Sequence, residues 1–434
     1  MLDVVVVGGG FAGVTAARET ALRGARTLLV EARDRLGGRT WTAPWSGLDI
    51  ELGGGWVHWH QPHTWSEIVR AGLEVEVGDE TEIAAWYVGD ERRTGTIAER
   101  DAIAERGWNA FVQGVEDVLP LPHDPLARID RLARLDGMSI TERIGELELT
   151  EEERDVLVAE LESLASGPLD ESGAVSVLRW HALAGYSLAL TQYTGGRVTL
   201  VRGTGALLAA IAGGAEFDVR LESPVAAVSQ SESGVEVHLR GGETIAARST
   251  VVALPLNALP AIEFDPPLSE GKRAAIAAGQ ASTGIKVFIR ASGPAVQQNS
   301  IRPAHPFGYL ATEYMLGDGE QVMIGFGTDG RAFDAADLKS VQRQLDDIIP
   351  GYGVVDATAN DWLGQEFSRG TWAIHRPGWY TNHHTDARRP DGRIAFAGSD
   401  IANGWSGFID GAIESGFRGA ALALDAMTSH RRAA

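Results

Sequence analysis

The chain has 434 residues, 44% hydrophobic and 22% charged, a globular balance long enough for two cores. A formal charge of −21 argues against nucleic acid or an anionic membrane as partner, and suits solubility or attraction of cations. Cysteine is absent, which excludes disulfides, thiolate metal sites, cysteine nucleophiles and any cofactor attached through sulfur.

"DVVVV" (3–7) is a β-branched run of the kind that fills a strand buried on both faces. It has no basic residues before it and runs straight into glycines, so it does not read as a signal-peptide core. No other apolar run reaches membrane-spanning length, and the expectation is a cytoplasmic chain without a membrane partner. "GGGFAG" (8–13) follows, then a helix to about Leu22 closed by Gly24, then a second strand, "RTLLVE" (26–31). Gly8, Gly10 and Gly13 make a G-x-G-x-x-G turn between strand and helix. The first glycine allows the tight turn, the second lets backbone approach a pyrophosphate, and the third lets helix and strand pack closely. Phe11 and Ala12 open the helix, whose free N–H groups suit phosphate. Glu31 ends the second strand, where an acid hydrogen-bonds an adenosine ribose. Ala32, Arg33, Gly38 and Arg39 lie in a second loop, "EARDRLGGRT", with arginines apt for phosphate oxygens. Strand, helix, glycines and acid together predict a bound dinucleotide.

Farther along, "WVHWHQPH" (56–63) places His58, His60 and His63 close together. No second ligand cluster accompanies them, so no metal is expected, and Trp56, Trp59 and His60 read as packing or pocket residues. From about 97 to 190 the pattern is helical, with Thr150 and Glu153 forming a capping box. Residues 219–255 alternate in short runs and read as a β-meander. Within 281–330, "GIKVFIR" puts Lys286 on one strand face with Phe288 and Arg290, opposite Ile285, Val287 and Ile289. Only Lys272, Lys286 and Lys339 are lysines, and arginine fills every other basic position. The simplest role for Lys286 is a stem on apolar surface with its head in water; the composition points away from it. His383 and His384 lie in a polar, solvated turn. The end of the chain reads as strand, loop and long helix, beginning near Ser406–Phe408.

These motifs, taken jointly, resemble the flavin-dependent amine oxidases, a family that includes monoamine, polyamine and bacterial nicotine oxidases. The resemblance runs from Gly8 to Thr40, then through "ELGGGWVHWHQP" (51–62), "SPVAAV" (223–228), "DWLGQEFSRGTW" (361–372) and "FAGSDIANGWSGFIDGAIESG" (396–416). It implies an α/β fold: a Rossmann-like FAD-binding domain interleaved with a substrate domain of sheet and helices. The expected division is 1–78, 195–277 and 385–434 for FAD, and 79–194 with 278–384 for substrate. It also implies that Gly54, Gly55 and Trp56 pass close to the flavin, and that the Val225 backbone pairs with adenine. Trp362, Gly398, Gly407, Phe408, Ile409 and Ala412 belong to its C-terminal flavin segments. Asp400 would meet a cofactor hydroxyl, and the last helix would aim its amides at the flavin pyrimidine. Members that attach flavin covalently use a cysteine at the position of Thr371, so FAD is expected to be noncovalent.

On the substrate side, the resemblance implies that Trp372 and Phe408 confine the amine, and that Lys286 holds a water at the flavin N5. The implied reaction is hydride transfer from the amine α-carbon to flavin, hydrolysis of the imine to a carbonyl compound, and reoxidation by dioxygen to give hydrogen peroxide. Some nicotine-degrading relatives use a protein electron acceptor. The expected substrate is an aromatic or nicotine-like amine. An L-amino-acid oxidase would need a cation for the carboxylate, with Arg302 and Arg376 the candidates. A non-catalytic binding protein of the same fold is the rival from another class; a homodimer is left open. No G-x-S-x-G occurs to suggest a hydrolase.

Overall fold

Val4, Val5 and Val6 are fully buried because their strand, Leu2–Val7, runs through the middle of a sheet. It pairs in parallel with Thr27–Val30 on one side and Thr244–Val252 on the other. Asp218–Arg220 and Ile394–Phe396 extend the parallel part. Val225–Ser231 and Gly234–Leu239 then add the antiparallel meander read from the sequence. Strands from the start, middle and end of the chain therefore share one sheet. The computed structural model describes residues 1–78, 81–317 and 319–428; the expected boundary at residue 79 and the final residues to 434 lie outside them.

The helix Phe11–Leu22 begins directly after Gly10 and has no side-chain cap, which leaves its first N–H groups available. Gly24, at φ +81°, ends it as expected. Against this helix packs the long C-terminal helix, Ile409–Thr428. The approach is close: a Cβ on Gly416 would lie 2.5 Å from the Ala12 carbonyl oxygen.

A second sheet orders its strands as Gly353–Ala359, Ile285–Ser292, Glu320–Gly327, Tyr309–Gly317, Gln298–Ile301, Ile83–Val88 and Glu91–Thr96. Ile285, Val287 and Ile289 pack with Val341, Leu345 and Ile348 of the helix Leu338–Ile348. Phe288 faces the opposite way, with Ile324 and Phe326, toward the hairpin Thr42–Trp45/Leu48–Glu51. The period-2 pattern thus sets which face of this sheet looks at the hairpin. The helical middle includes Ile97–Val112, Glu151–Ala165 and Ala174–Leu183. Its capping boxes are Thr96/Glu99, Ser139/Glu142 and Thr150/Glu153, of which the sequence reading singled out the last.

One local expectation is corrected. His384 is not in a solvated turn: it is 2% exposed and opens the short helix His384–Arg388. Lys272 Nζ donates to the carbonyls of Ala387 (2.8 Å) and Arg389 (2.5 Å) and draws this helix onto the body. Burial, with the charges of Arg179 and Arg388, pushes the His384 imidazole well below its usual pKa.

Candidate active site

One continuous cavity runs between the two sheets, and the G-x-G-x-x-G turn walls one end of it. Gly8 adopts φ +103°, and a Cβ there would stand 2.6 Å from the Ala253 carbonyl oxygen. Gly10 differs: a Cβ would meet no protein atom closer than 3.8 Å, so its hydrogen serves the cavity rather than the packing. Phe11 and Ala12 continue this wall. Gly13 is not on it; its Cβ would lie 1.8 Å from the Gly8 carbonyl, so its role is the strand–helix approach. Glu31 Oε2 accepts from Gly9 N (2.6 Å) and Oε1 from Arg33 N (2.8 Å), which holds the carboxylate beside Ala32, Ser223 and Val225 on the wall. This cradle, with open backbone donors and a fixed acid, fits a dinucleotide.

The arginines of the second loop reach the wall, but their guanidiniums are bonded to protein. Arg33 donates to Gln365 Oε1 (3.1 Å) and Ser368 Oγ (3.4 Å). Arg39 donates to the Thr371 carbonyl (2.6 Å) and Ser399 Oγ (2.9 Å), and pairs with Asp400. Arg35, which the sequence reading passed over, bonds the carbonyls of Gly38 (3.2 Å) and Thr40 (3.0 Å) and stacks 4.6 Å from Trp41. Asp400 lies behind the wall, not on it, because its carboxylate takes Arg39, Ser399 Oγ and Leu256 N. Burial raises its pKa, but the Arg39 charge and these hydrogen bonds outweigh that and hold it below the usual carboxylate range.

Gly38, Gly54 and Gly55 line the middle of the cavity together with Trp362, whose Nε1 donates to the Leu52 carbonyl at 2.9 Å. Gly398 (φ +141°) and Gly407 (φ +86°) turn the chain beside it. Phe408, Ile409 and Ala412 follow on the wall, and the helix starts at Ile409, one residue beyond the expected Ser406–Phe408. Its dipole favours negative charge at this end.

Beside Gly55, Lys286 lines the cavity and is 7% exposed. Its Nζ donates to the carbonyls of Glu51 (2.7 Å) and Gly53 (3.1 Å) and stands 5.1 Å from the rings of Trp56 and Phe288. Burial lowers its pKa to about 8, against the opposing carboxylates of Glu313 and Glu51. An ammonium has three N–H groups, and these two carbonyls take two of them.

A set of aromatic rings lines the same cavity as the lysine. Phe326 is 5.6 Å from Trp56, 6.0 Å from Tyr309 and 6.0 Å from Trp372. Phe408 meets Trp180 at 5.1 Å, edge to face at 83°. Trp180, Tyr309 and Phe326 were not anticipated. The signal for two of them was strand register, since Tyr309 and Lys286 both pair with Phe326 across neighbouring strands; single-chain patterning does not reveal it.

Trp372 Nε1 donates to the Leu164 carbonyl (2.8 Å) at the end of the helix Glu151–Ala165. The next residues of that helix end form a joint. Ser166, at φ +48°, accepts Thr283 N (2.9 Å) and Gly284 N (2.7 Å) on its carbonyl, and its hydroxyl meets Thr371 Oγ1 at 3.1 Å.

The histidines serve packing. His58 and His60 both bond Thr194 (2.9 and 2.8 Å), and His63 bonds Asp410 (3.1 Å). Among the described residues no three metal-ligating side chains converge. Arg302 pairs with Asp90 (3.2 Å) and Asp347 (2.7 Å), and Arg376 with Glu171; neither lines the cavity.

A dinucleotide cradle opening into an aromatic box with a buried lysine defines a flavoprotein acting on amines. The chain belongs to the flavin containing amine oxidoreductases, whose family model matches residues 11–424. It is 37% identical over 421 residues to a pseudooxynicotine dehydrogenase of Pseudomonas sp., covering 95% of this chain and 84% of that one. It is 35% identical over 425 residues to a nicotine dehydrogenase of Pseudomonas putida, covering 96% and 87%. A solved putrescine oxidase with putrescine bound superposes with a TM-score of 0.81 at 24% identity, over 98% of this chain and 99% of that one, a likeness of fold. FAD is the cofactor, and without cysteine the chain cannot hold it through a thioether.

Proposed function

We propose that the chain oxidises an amine bearing a flat aromatic ring, of the nicotine type, with the reacting nitrogen between Trp372 and Phe408. The observation that carries this is the set of rings Trp56, Trp180, Tyr309, Phe326, Trp372 and Phe408 lining the same cavity as Lys286. Among the described residues the arginines that line the cavity are Arg33, Arg39 and Arg240, and each guanidinium is already bonded to protein groups rather than offered to a carboxylate. That favours an amine over an amino acid. The names of the two Pseudomonas relatives support the same substrate class.

In this reading Gly8, Gly10, Phe11, Ala12 and Glu31 hold the nucleotide half of FAD, and Gly54, Gly55, Trp56, Gly398 and Gly407 adjoin its ring system. Residues 1–78, 195–277 and 385–434 serve the cofactor, and 79–194 with 278–384 serve the substrate. Bound flavin supplies the two-electron oxidation of the carbon next to nitrogen. Trp372 and Phe408 orient that carbon and exclude water from it. The apolar box disfavours a charged amine, so substrate is held with its lone pair free. Lys286 keeps its remaining N–H for a water, and burial that brings its pKa down to about 8 eases proton exchange there. The imine then takes up water to give a carbonyl compound and a smaller amine. The electrons pass to dioxygen, giving hydrogen peroxide. A second reading, an electron-carrier protein as acceptor, is favoured by the word dehydrogenase in both relatives' names.

The test is turnover by the purified protein on nicotine-type amines, benzylic amines, putrescine and L-amino acids, followed by peroxide release and by reduction of an added electron carrier. Turnover of the aromatic amines is the expected result. Turnover of amino acids or putrescine without them would overturn the reading, and the ratio of the two signals decides the acceptor.

A further inference from the structure

The nucleotide end of the cavity is lined by side chains from three separate segments. Arg33 follows Glu31. Arg240 comes from the turn after Gly234–Leu239, and its backbone N donates to the Pro224 carbonyl (2.8 Å), next to Val225. Glu366 and Phe367 come from the turn that Trp362 pins to Leu52. Both guanidiniums stand 5.5 Å from the Phe367 ring, which is thus shared by two cations. Arg240 Nη2 meets Glu366 Oε1 at 2.5 Å, and Arg33 ties the same turn through Gln365 and Ser368. Arg33, Arg240, Glu366 and Phe367 all line the cavity beside Glu31 and Val225.

We propose that these side chains form a clasp over the adenosine end of FAD, which opens to admit or release the cofactor. The construction suits that role. The Arg240–Glu366 pair is 37% and 44% exposed, so it is weak and screened by salt, and it yields without disturbing the core. A ring held by two guanidiniums closes the span between the segments, yet each contact is modest. Glu31, by contrast, is held by Gly9 N and Arg33 N, and Gly10 by the helix whose Val14 N donates to its carbonyl (2.9 Å), so both stay in place while the clasp moves. A clasp differs from a simple wall contact in kinetics. Loosening it speeds entry as well as exit of FAD, whereas losing a wall contact speeds exit alone.

The experiment follows flavin fluorescence during release from the full-length holoenzyme and during rebinding to the deflavinated chain, at low and high salt. Arg240→Gln and Glu366→Gln should each raise both rates about threefold, and Phe367→Ala about tenfold, since it removes both cation–ring contacts. Salt should speed both rates in the unmodified protein and have little effect in the two ion-pair variants. Arg376→Gln, which removes an ion pair away from the cavity, should match the unmodified protein. Should Phe367→Ala not fold, Phe367→Leu keeps the apolar bulk and still loses the cation contacts. Faster release with unchanged rebinding, or the same salt response in every variant, would overturn the clasp.

Discussion

Lys286 should titrate near 8 rather than at the 10.5 of an ordinary lysine, because burial disfavours its charged form. That gap corresponds to about 3 kcal/mol in the native chain. Its sign is fixed by linkage. The folded value lies below the unfolded one, so the unfolded chain binds more protons between about 8 and 10.5. Stability from this group is therefore lowest below about 8 and rises with pH across that window. The protein carries only three lysines, so labelling them with ¹³C at Cε gives a spectrum simple enough to follow by NMR. The resonance lost in Lys286→Met is the one to track, and its midpoint should fall near 8. In parallel, the difference in unfolding free energy between native protein and variant should climb by about 3 kcal/mol from pH 8 to 10.5. A midpoint at 10.5 with a flat difference curve would refute the burial argument. Lys286→Met should also stay yellow while flavin reduction or reoxidation slows in stopped-flow traces.

Other outcomes follow from single contacts. Trp372→Ala should lower kcat/KM for aromatic amines by about tenfold or more with flavin retained, because it opens one wall of the box. Gly13→Ala should fail to give soluble protein, since its Cβ would lie 1.8 Å from a carbonyl oxygen. Gly10→Ala should fold, as judged by circular dichroism, but purify with little flavin, because its Cβ enters the cavity alone. The hydrogen bond to Asp410 raises the His63 pKa, so the stability it confers is full below 6.5 and fades as pH rises through the raised value. Melting temperatures of His63→Gln across that range should lack this fall.

What could be read in advance depended on how local its cause was. Gly8, Gly10, Gly13 and Glu31 act through a turn and its two neighbouring elements, so their spacing within a strand–turn–helix–strand pattern is legible in the sequence. The strand face of Lys286 could be read from period 2, and a composition that uses arginine almost everywhere else made this lysine conspicuous; its expected place beside the flavin came only from the resemblance. Arg33 and Arg39 reach the cavity wall and Asp400 lies behind it, but no motif gives their partners. Where a long guanidinium goes depends on Gln365, Thr371 and Asp400, each more than 300 residues away in sequence. Trp180, Tyr309 and Phe326 belong to the box only through helix packing and strand register, which no motif encodes. His384 escapes a sequence reading for the same reason, since its ring packs 5.3 Å from Tyr380 and its short helix is held through the carbonyls of Ala387 and Arg389 by the distant Lys272.

The Ser166 joint has a consequence for how such an enzyme changes its diet. One residue ties the end of the helix Glu151–Ala165 to the approach of the Lys286 strand and to Thr371, beside Trp372. Ring and lysine are therefore mounted on a common bracket. Substitutions far out along that helix would therefore shift ring and lysine together, keeping their spacing while reshaping the room beyond them.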